Sequence, residues 1–253
     1  MSKSEQASDK GTHMTARTAI VTGAGSGIGR AVAHRLADDG FRVAAVGRTE
    51  SKLNETVRTY TGKGKIEVWT LDVSDRNAAA PFVADIAKWE PIAVLVNNAG
   101  VNTKKRTLEE LSAAEWDRQI GINLNGVFNM VSAVLPVMRQ QGGGLIVNVS
   151  SIAAVRPSKL AGAAYSASKA GVSALSSVIS QEELKNGIRC TAVCPGEVDT
   201  PILDERPEPI SEERRAVILK PEDVAAAVAF LVSLPARAHV PELVIKPTAH
   251  LWQ

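Results

Sequence analysis

Short apolar runs, most of them rich in β-branched residues, recur along this chain, and stretches with helical spacing of apolar positions lie between them. The runs predict seven strands, at residues 18–22, 42–46, 66–71, 93–97, 145–149, 188–193 and 243–245. The stretches between them predict helices at residues 28–39, 51–59, 76–89, 114–140, 163–185 and 222–234. Near-continuous apolar strands that alternate with helices are typical of a parallel sheet covered by helices on both faces. The pattern therefore predicts an α/β fold, with a single doubly wound domain.

Two segments depart from this alternation. Residues 1–14 are polar and aperiodic and end in Gly-Thr-His-Met, so we expect a disordered added leader ahead of a domain that spans residues 15–253. Residues 201–220 are rich in Pro, Glu and Arg, and we expect them to form a mobile insert near a functional site.

The composition argues against several classes of function. Lys and Arg number 29 against 27 Asp and Glu, a net charge of +2, so no basic surface is expected for nucleic acid or an anionic membrane. No uninterrupted apolar run approaches the ~20 residues that cross a bilayer. Cys190 and Cys194 are too far apart in an extended strand for a disulfide, and no histidine lies at ligand spacing from them. We expect a cytoplasmic protein without a metal.

Alternate glycines follow the first predicted strand, in the segment Thr22-Gly23-Ala24-Gly25-Ser26-Gly27-Ile28-Gly29. The segment leads directly into a predicted helix, an arrangement in which backbone N–H groups and the helix N-terminus hold a pyrophosphate. Its spacing, Gly-x3-Gly-x-Gly, differs from the standard G-x-G-x-x-G, and many tight turns need one or two glycines. Four alternate glycines between a strand and an amphipathic helix favour nucleotide binding.

A tyrosine and a lysine lie one turn apart in the predicted helix 163–185. Tyr165 and Lys169 therefore share a face of that helix. Taken alone, the pair could equally be a buried tyrosine with a lysine side chain extended over it.

Several further segments fall where the carboxyl ends of parallel strands meet a ligand. They are Asn97-Asn98-Ala99-Gly100, Ser150-Ser151 and Pro195-Gly196 at strand ends, and Asn123-Leu124-Asn125-Gly126 in a long helix. Together with the glycine turn and the Tyr165–Lys169 pair, they closely resemble the short-chain dehydrogenase/reductase family, in order and spacing, from residue 18 to about 246. The resemblance implies a Rossmann-type fold and hydride transfer between a nicotinamide cofactor and a carbonyl or secondary alcohol.

The resemblance also implies roles for four residues. Tyr165 would be the general acid/base, and Lys169 would supply the nearby cation that a phenol needs near neutral pH and would hold the nicotinamide ribose. Ser151 would hydrogen-bond the substrate oxygen, and Asn123 would hold a water that links Lys169 to solvent. Each of the last three also has a structural interpretation: a surface charge for the lysine, a strand-end cap for the serine and a polar helix residue for the asparagine.

The serine assignment has one complication. Ser151 precedes Tyr165 by 14 positions and Ser150 by 15, both more than the family's usual spacing. An extra residue in the loop between them would accommodate the difference, so Ser151 is preferred and Ser150 is the second choice.

The cofactor contacts that the resemblance implies lie on five segments. They are Gly23, Ser26 and Ile28 at the phosphates, Asp72 and Val73 near the adenine, Asn98, Ala99 and Gly100 along the ribose, and Pro195, Gly196, Val198 and Thr200 around the carboxamide. Asp72 could instead cap the helix that begins near residue 76, and Thr200 could simply end a turn.

The end of the second predicted strand bears on the choice between NADP and NAD. An NAD-preferring fold places Asp or Glu there to accept from the ribose 2′-hydroxyl. This chain has Gly47-Arg48-Thr49 instead, and a guanidinium suits a 2′-phosphate. Arg48 could also be an ordinary solvated arginine. We expect NADP(H) to be preferred and NAD(H) to be the less favoured alternative.

The substrate is less defined by the sequence. It should be selected by residues 101–111, 152–164 and 201–220, and the tail 234–248 resembles relatives that act on small hydroxy acids. A nucleotide-sensing protein on the same fold is the alternative to an enzyme, although a sensor would not need Tyr165. The apolar helices 114–140 and 163–185, with outward positions expected around Val172, Leu175 and Val178, predict a homotetramer or homodimer by analogy with the family.

Overall fold

The computed structural model describes residues 17–249. Its seven parallel strands are β1 (Arg17–Thr22), β2 (Phe41–Gly47), β3 (Lys65–Thr70), β4 (Ile92–Asn97), β5 (Gly144–Val149), β6 (Ile188–Pro195) and β7 (Glu242–Ile245). The strand order is β3-β2-β1-β4-β5-β6-β7. The chain order therefore reverses direction between β1 and β4, and in such sheets a ligand binds beyond the carboxyl ends of the strands at this point. The predicted doubly wound α/β fold is confirmed.

The helices described by the structure cover both faces of this sheet. They are α1 (Gly27–Asp38), α2 (Glu50–Thr59), α3 (Arg76–Ile86), α4 (Ala113–Ile120), α5 (Gly126–Gln140), α6 (Ile152–Val155), α7 (Ala163–Glu183), α8 (Glu212–Val217) and α9 (Pro221–Ser233). One apolar core contains residues of α1, α2 and α9, and a second contains residues of α3, α5 and α7. The predicted strands and long helices are found with ends shifted by a few residues at most.

The predicted helix 114–140 is continuous but not uniformly α-helical. A π-helical turn, Gly121–Asn125, separates α4 from α5. Such turns inside α-helices are frequently found at functional sites. The whole stretch Ala113–Gln140 has a window of mean hydropathy 1.5, which by length and composition alone would suffice to cross a membrane. Its α5 side chains Met130, Val134 and Met138 are fully buried in the core of this fold.

Residues 201–220 do lie beside the main cavity, as predicted, but they contain more regular structure than an irregular insert. A 3-10 helix spans Pro201–Glu205 and α8 follows it. Ion pairs from Arg206 and Arg214 to the partly buried carboxylate of Glu197 attach this segment to the end of β6. The sequence analysis missed these two helices because they span one or two turns each. The predicted leader, residues 1–14, lies outside the described residues.

Candidate active site

One cavity of about 1040 Å³ lies beyond the carboxyl ends of the strands. It extends from the glycine turn after β1 to Tyr165 and Lys169 on α7. Of the other predicted site residues, Ser26, Ile28, Arg48, Asn98, Gly100, Ser151, Pro195, Gly196, Val198 and Thr200 also line it. The structure thus brings the predicted nucleotide turn and the predicted acid/base group into a single site.

The glycine turn packs too closely to its surroundings for other residues. Gly23 has φ +66°, and a Cβ there would lie 2.8 Å from the Ala99 Cα. Gly27 has φ +50°, and a Cβ there would lie 2.9 Å from the Thr200 Cγ2. Left-handed backbone favours glycine, and the missing Cβ atoms allow the turn to touch both β4 and the segment after β6.

The N-terminus of α1 opens into the same cavity. Ser26 is its N-cap, but the Ser26 side chain forms no capping hydrogen bond. The first-turn N–H groups of the 12-residue helix therefore remain available, and they carry the positive end of the helix dipole. A glycine-lined approach with uncapped amides fits the pyrophosphate of a dinucleotide.

The end of β4 is fixed to the end of β1. The Thr22 Oγ1 accepts hydrogen bonds from the backbone N–H groups of Asn98 (3.0 Å) and Ala99 (3.1 Å). The Asn98 Nδ2 donates to the Thr22 carbonyl oxygen at 3.1 Å. Asn98 and Gly100 face the cavity, whereas Ala99 packs against Gly23. These bonds hold the predicted ribose segment beside the predicted phosphate turn.

Ser151 and Tyr165 both line the cavity, and Ser151 acts on the pKa of the Tyr165 phenol as a hydrogen-bonding neighbour. The Ser151 Oγ also accepts from the Ala153 N–H at 3.1 Å, which caps α6 and fixes the serine rotamer. Burial raises the pKa of Tyr165, and the Ser151 hydrogen bond and the positive charge of Arg106 oppose that rise. The phenol is therefore protonated at neutral pH, the state required of a proton donor.

Lys169 is almost completely buried, and its Nζ donates to the Val149 carbonyl oxygen at 2.8 Å. The Nζ lies 5.8 Å from the centroid of the Tyr165 ring. Burial lowers the pKa of Lys169 to about 8. A buried ammonium that hydrogen-bonds a strand carbonyl is not a surface charge, so the structural interpretation of Lys169 as a solvated lysine is wrong.

Ser150 and Ser151 occupy different environments. The Ser150 Oγ donates to the Lys169 carbonyl oxygen at 2.9 Å and lies 3.0 Å from the Ser173 Oγ. Those contacts join β5 to α7 and engage the hydroxyl in packing. Ser151 is the serine that contacts Tyr165, which supports the preferred assignment.

Asn123 lies in the π-helical turn and is fully buried. Its Oδ1 accepts from the Val101 N–H at 2.8 Å, and its Nδ2 donates to the Val101 carbonyl oxygen at 3.0 Å and to the Ser168 Oγ at 3.1 Å. The side chain therefore holds the strand-end segment against α7. The water relay through Asn123 stays a prediction.

Neither predicted adenine contact, Asp72 or Val73, lines the cavity, but Asp72 faces Arg48, which does. The Arg48 Nη1 is 3.8 Å from the Asp72 Oδ2, and both side chains are largely exposed. Asp72 does not cap α3, because Asp75 does so by accepting from the Asn77 N–H, while Asp72 accepts from Ser74. Val73 is buried in the core beside Gly126 and does not line the cavity.

The segment after β6, predicted to contact the carboxamide, lines one side of the cavity. The Gly196 N–H donates to the Ile245 carbonyl oxygen at 2.7 Å, and Val198 pairs with Leu219 in an isolated parallel bridge. Thr200 is nearly buried and is the N-cap of the 3-10 helix Pro201–Glu205, where its methyl group contacts Gly27. Thr200 therefore precedes a helical turn rather than ending one, and it also lies against the glycine turn.

The sequence analysis missed two cavity residues. Lys52 on α2 packs against Gly25 and adds a second basic side chain beside Arg48. Arg106, in the segment after β4, is almost completely buried and lines the cavity near Tyr165. Their positions depend on contacts between distant segments, which neither spacing nor periodicity indicates.

The cysteines and acidic groups offer no metal site within residues 17–249. Cys190 and Cys194 are buried free thiols, and burial raises the pKa of Cys190 to about 12. No group of three or more His, Cys, Asp or Glu side chains that could hold a metal ion is found in the described part of the chain.

Comparison with known proteins assigns the class of this site. The family model for short chain dehydrogenase matches residues 17–210. The chain is 36% identical over 226 residues to the 3-oxoacyl-[acyl-carrier-protein] reductase of Thermotoga maritima, with 86% of this chain and 90% of that protein covered. It is 37% identical over 231 residues to the (3R)-3-hydroxyacyl-CoA dehydrogenase of Rattus norvegicus, with 85% and 88% covered.

Solved structures agree with this assignment. A serine dehydrogenase in complex with NADP+ matches with a TM-score of 0.84 and 30% identity, over 93% of this chain and 96% of that one. A 3-ketoacyl-(acyl-carrier-protein) reductase from Brucella melitensis in complex with NADH matches with a TM-score of 0.81 and 30% identity, over 91% and 96%. The protein belongs to the short-chain dehydrogenase/reductase family and is an NAD(P)-dependent oxidoreductase, which confirms the predicted enzyme class over the alternative of a nucleotide sensor.

The pKa of Lys169 predicts the pH dependence of activity. The ammonium is present below pH about 8 and is lost as the pH rises through that value. We expect kcat/KM for the reduced nicotinamide cofactor, which reports ionisations of the cofactor-free enzyme, to fall across this range. In the Lys169→Arg variant the guanidinium keeps its charge across this pH range. We expect kcat/KM of the variant to be lower than that of the wild type but not to decrease around pH 8. A wild-type profile that is flat up to the ordinary lysine pKa of ~10.4 would contradict the prediction.

Proposed function

We propose that this enzyme is an NADP(H)-preferring reductase or dehydrogenase for a small carbonyl compound or secondary alcohol. The observation that carries the proposal is the presence of Ser151, Tyr165 and buried Lys169 in the same cavity as the uncapped N-terminus of α1. When bound, the nicotinamide donates or accepts the hydride. This chain supplies the proton and the binding groups.

The proton is supplied by Tyr165. In the direction of carbonyl reduction its protonated phenol donates to the substrate oxygen, and the Ser151 hydroxyl stabilises the charge that develops there. The ammonium of Lys169 stabilises the resulting phenolate and also holds the nicotinamide ribose. Asn123 positions Val101 at the end of β4 and holds the relay water to Lys169. In the oxidation direction the same proton returns to the phenolate.

The clearest test of this assignment is Tyr165→Phe, which removes only the hydroxyl. We expect kcat to fall by ~10²–10⁴ because proton transfer is lost, while cofactor affinity is nearly unchanged. Steady-state kinetics and a fluorescence titration with NADPH measure the two effects. Lys169→Ala is the comparison, and it should weaken both turnover and cofactor binding. Tyr165→Phe retaining more than about half of the wild-type kcat would rule out Tyr165 as the acid/base.

The preference for NADP(H) over NAD(H) rests on the residues around the end of β2. Gly47 is followed by Arg48 and Thr49, and the first carboxylate, Glu50, begins α2. Arg48 and Lys52 both line the cavity. The Arg48–Asp72 pair is long, 3.8 Å, and exposed, and such pairs contribute only ~0–1 kcal/mol. A 2′-phosphate would therefore compete effectively with Asp72 for Arg48.

We expect kcat/KM to be higher with NADPH than with NADH on one carbonyl substrate. Arg48→Ala should move the ratio toward NADH by roughly 10- to 150-fold, the value of a charge-assisted phosphate contact. Lys52→Ala should move it in the same direction by less, because an ammonium is a single point of charge. Gly47→Asp should also favour NADH.

Gly47→Ala is the matched control for Gly47→Asp. A Cβ at this position lies 3.3 Å from the Leu53 Cδ2, so the control measures the steric part of the effect without the charge. Wild-type enzyme that already favours NADH, or a ratio that Arg48→Ala leaves unchanged, would overturn the proposed preference.

We also propose a homotetramer or homodimer. The expected outward positions on α7 need one correction: Val172 is fully buried in the core, Leu175 is partly buried against it, and only Val178 is exposed, at 49%. Phe128 on α5 is 46% exposed. Large exposed apolar side chains on the two long helices support pairing of these helices between subunits.

The assembly is tested by light scattering on the eluted protein at micromolar concentration. Wild type should show a mass of two or four chains, and Val178→Glu or Phe128→Glu should lower it because a charge is placed in an apolar contact. Val57→Glu, on the distant helix α2 and 39% exposed, is the control and should leave the mass unchanged. A monomeric wild type would refute the proposal.

The remaining proposals concern location and partners. The fold of a soluble dehydrogenase and the charge of +2 support a cytoplasmic enzyme whose partner is a small-molecule substrate, without nucleic acid or membrane.

A further inference from the structure

Arg106 is a charged side chain buried at the substrate end of the cavity. Its residue is only 4% exposed, yet it lines the cavity together with Ser151 and Tyr165. Its positive charge acts electrostatically on the Tyr165 phenol and lowers the pKa of that group. Neither the roles assigned above nor the cofactor contacts involve this residue.

Backbone carbonyls hold the guanidinium from three different segments. The Nε donates to the Thr103 carbonyl oxygen at 2.7 Å, the Nη1 to that of Leu160 at 2.9 Å, and the Nη2 to that of Glu205. These segments are the ones that the sequence analysis expected to select the substrate. An arginine has five N–H donors, so within residues 17–249 one N–H on each of Nη1 and Nη2 has no protein acceptor.

The charge of Arg106 is not neutralised by an ion pair. Within the described residues no carboxylate lies within 4.0 Å of its guanidinium, although the more distant Glu205 acts on it electrostatically. Neighbouring cations differ: Arg118 pairs with Glu115, and Arg206 pairs with Glu197. Carbonyl dipoles satisfy hydrogen bonds but leave the net charge in place, and a buried cation without an anion is costly. Burial lowers the pKa of Arg106, with the nearby Arg206 adding to that effect.

We propose that Arg106 binds an anionic group of the substrate, so that the enzyme acts on small oxo acids or hydroxy acids. The two unbonded N–H groups, one on each terminal nitrogen, match in number the two oxygens of a carboxylate. The substrate carboxylate binds to Arg106, and the carbonyl or hydroxyl oxygen binds between Ser151 and Tyr165. The anion supplies the missing counter-charge only when substrate is bound. This inference rests on the proposed reductase activity and names the substrate class for the same site.

The test compares each acid with its uncharged ester. The probes are pyruvate, acetoacetate and levulinate, in which the carboxylate lies progressively further from the ketone, and their methyl esters. We expect wild type to favour at least one acid over its ester by about 10- to 150-fold in kcat/KM, mainly through KM. Arg106→Gln should abolish this preference while ester reduction continues. Arg106→Lys, which keeps the charge without the fork, should retain part of it.

Arg118→Gln is the matched control, since it removes a cavity cation that Glu115 already neutralises. It should leave the ratio of acid to ester unchanged. If Arg106 only joins the three segments, Arg106→Gln will reduce acid and ester turnover equally, and the proposal is wrong.

A second measurement does not depend on the variant folding. Propionate should inhibit ester reduction by wild type competitively, and propionamide, of the same shape without charge, should not. Equal inhibition by propionate and propionamide would contradict the carboxylate site but not the proposed reductase activity. Reduction of the esters as efficiently as the acids would have the same meaning. If none of the six carbonyl compounds is reduced, the proposed function fails and the inference falls with it.

Discussion

The contact between the ends of β1 and β4 is the constraint on which the site depends. Thr22 accepts both N–H groups of Asn98 and Ala99, and Gly23 approaches the Ala99 backbone more closely than any side chain would allow. The strand order reverses at this pair, so the crevice beyond it is open to a ligand. The glycine turn follows β1, and the segment that contains Arg106 follows β4, so both begin at this pair of strand ends.

Much of the fold could be predicted because it follows from local pattern. The centre of β1 and all but the last position of β4 are apolar, as expected of strands that are buried on both faces. The π-helical turn at Gly121–Asn125 could not be predicted, because a one-residue change in hydrogen-bond register has no signature in composition. The outward assignment of Val172 was wrong because α7 packs on both the sheet and α4, which widens its buried face.

The candidate site likewise contains residues that the sequence could predict and one that it could not. Tyr165 and Lys169 share a helix face, and their spacing was sufficient to predict their proximity. The importance of Arg106 arises from bonds to carbonyls 54 and 99 positions away in the chain, and only the folded structure brings these together. Two buried cations act near the Tyr165 phenol: the Lys169 Nζ lies 5.8 Å from the ring centroid, and the charge of Arg106 lowers the pKa of the phenol. Such an arrangement favours negative charge that develops on the substrate and on the phenol oxygen.

The central claim is that hydride passes directly between a nicotinamide bound in this cavity and the carbonyl carbon of the substrate. It is tested most directly by incubating the enzyme with NADPH that carries deuterium at both C4 positions and with methyl acetoacetate, followed by mass spectrometry of the alcohol. The account predicts an alcohol with one deuterium on its carbinol carbon, formed in step with oxidation of the cofactor. Absence of the alcohol, or an alcohol without deuterium at that carbon, would contradict it.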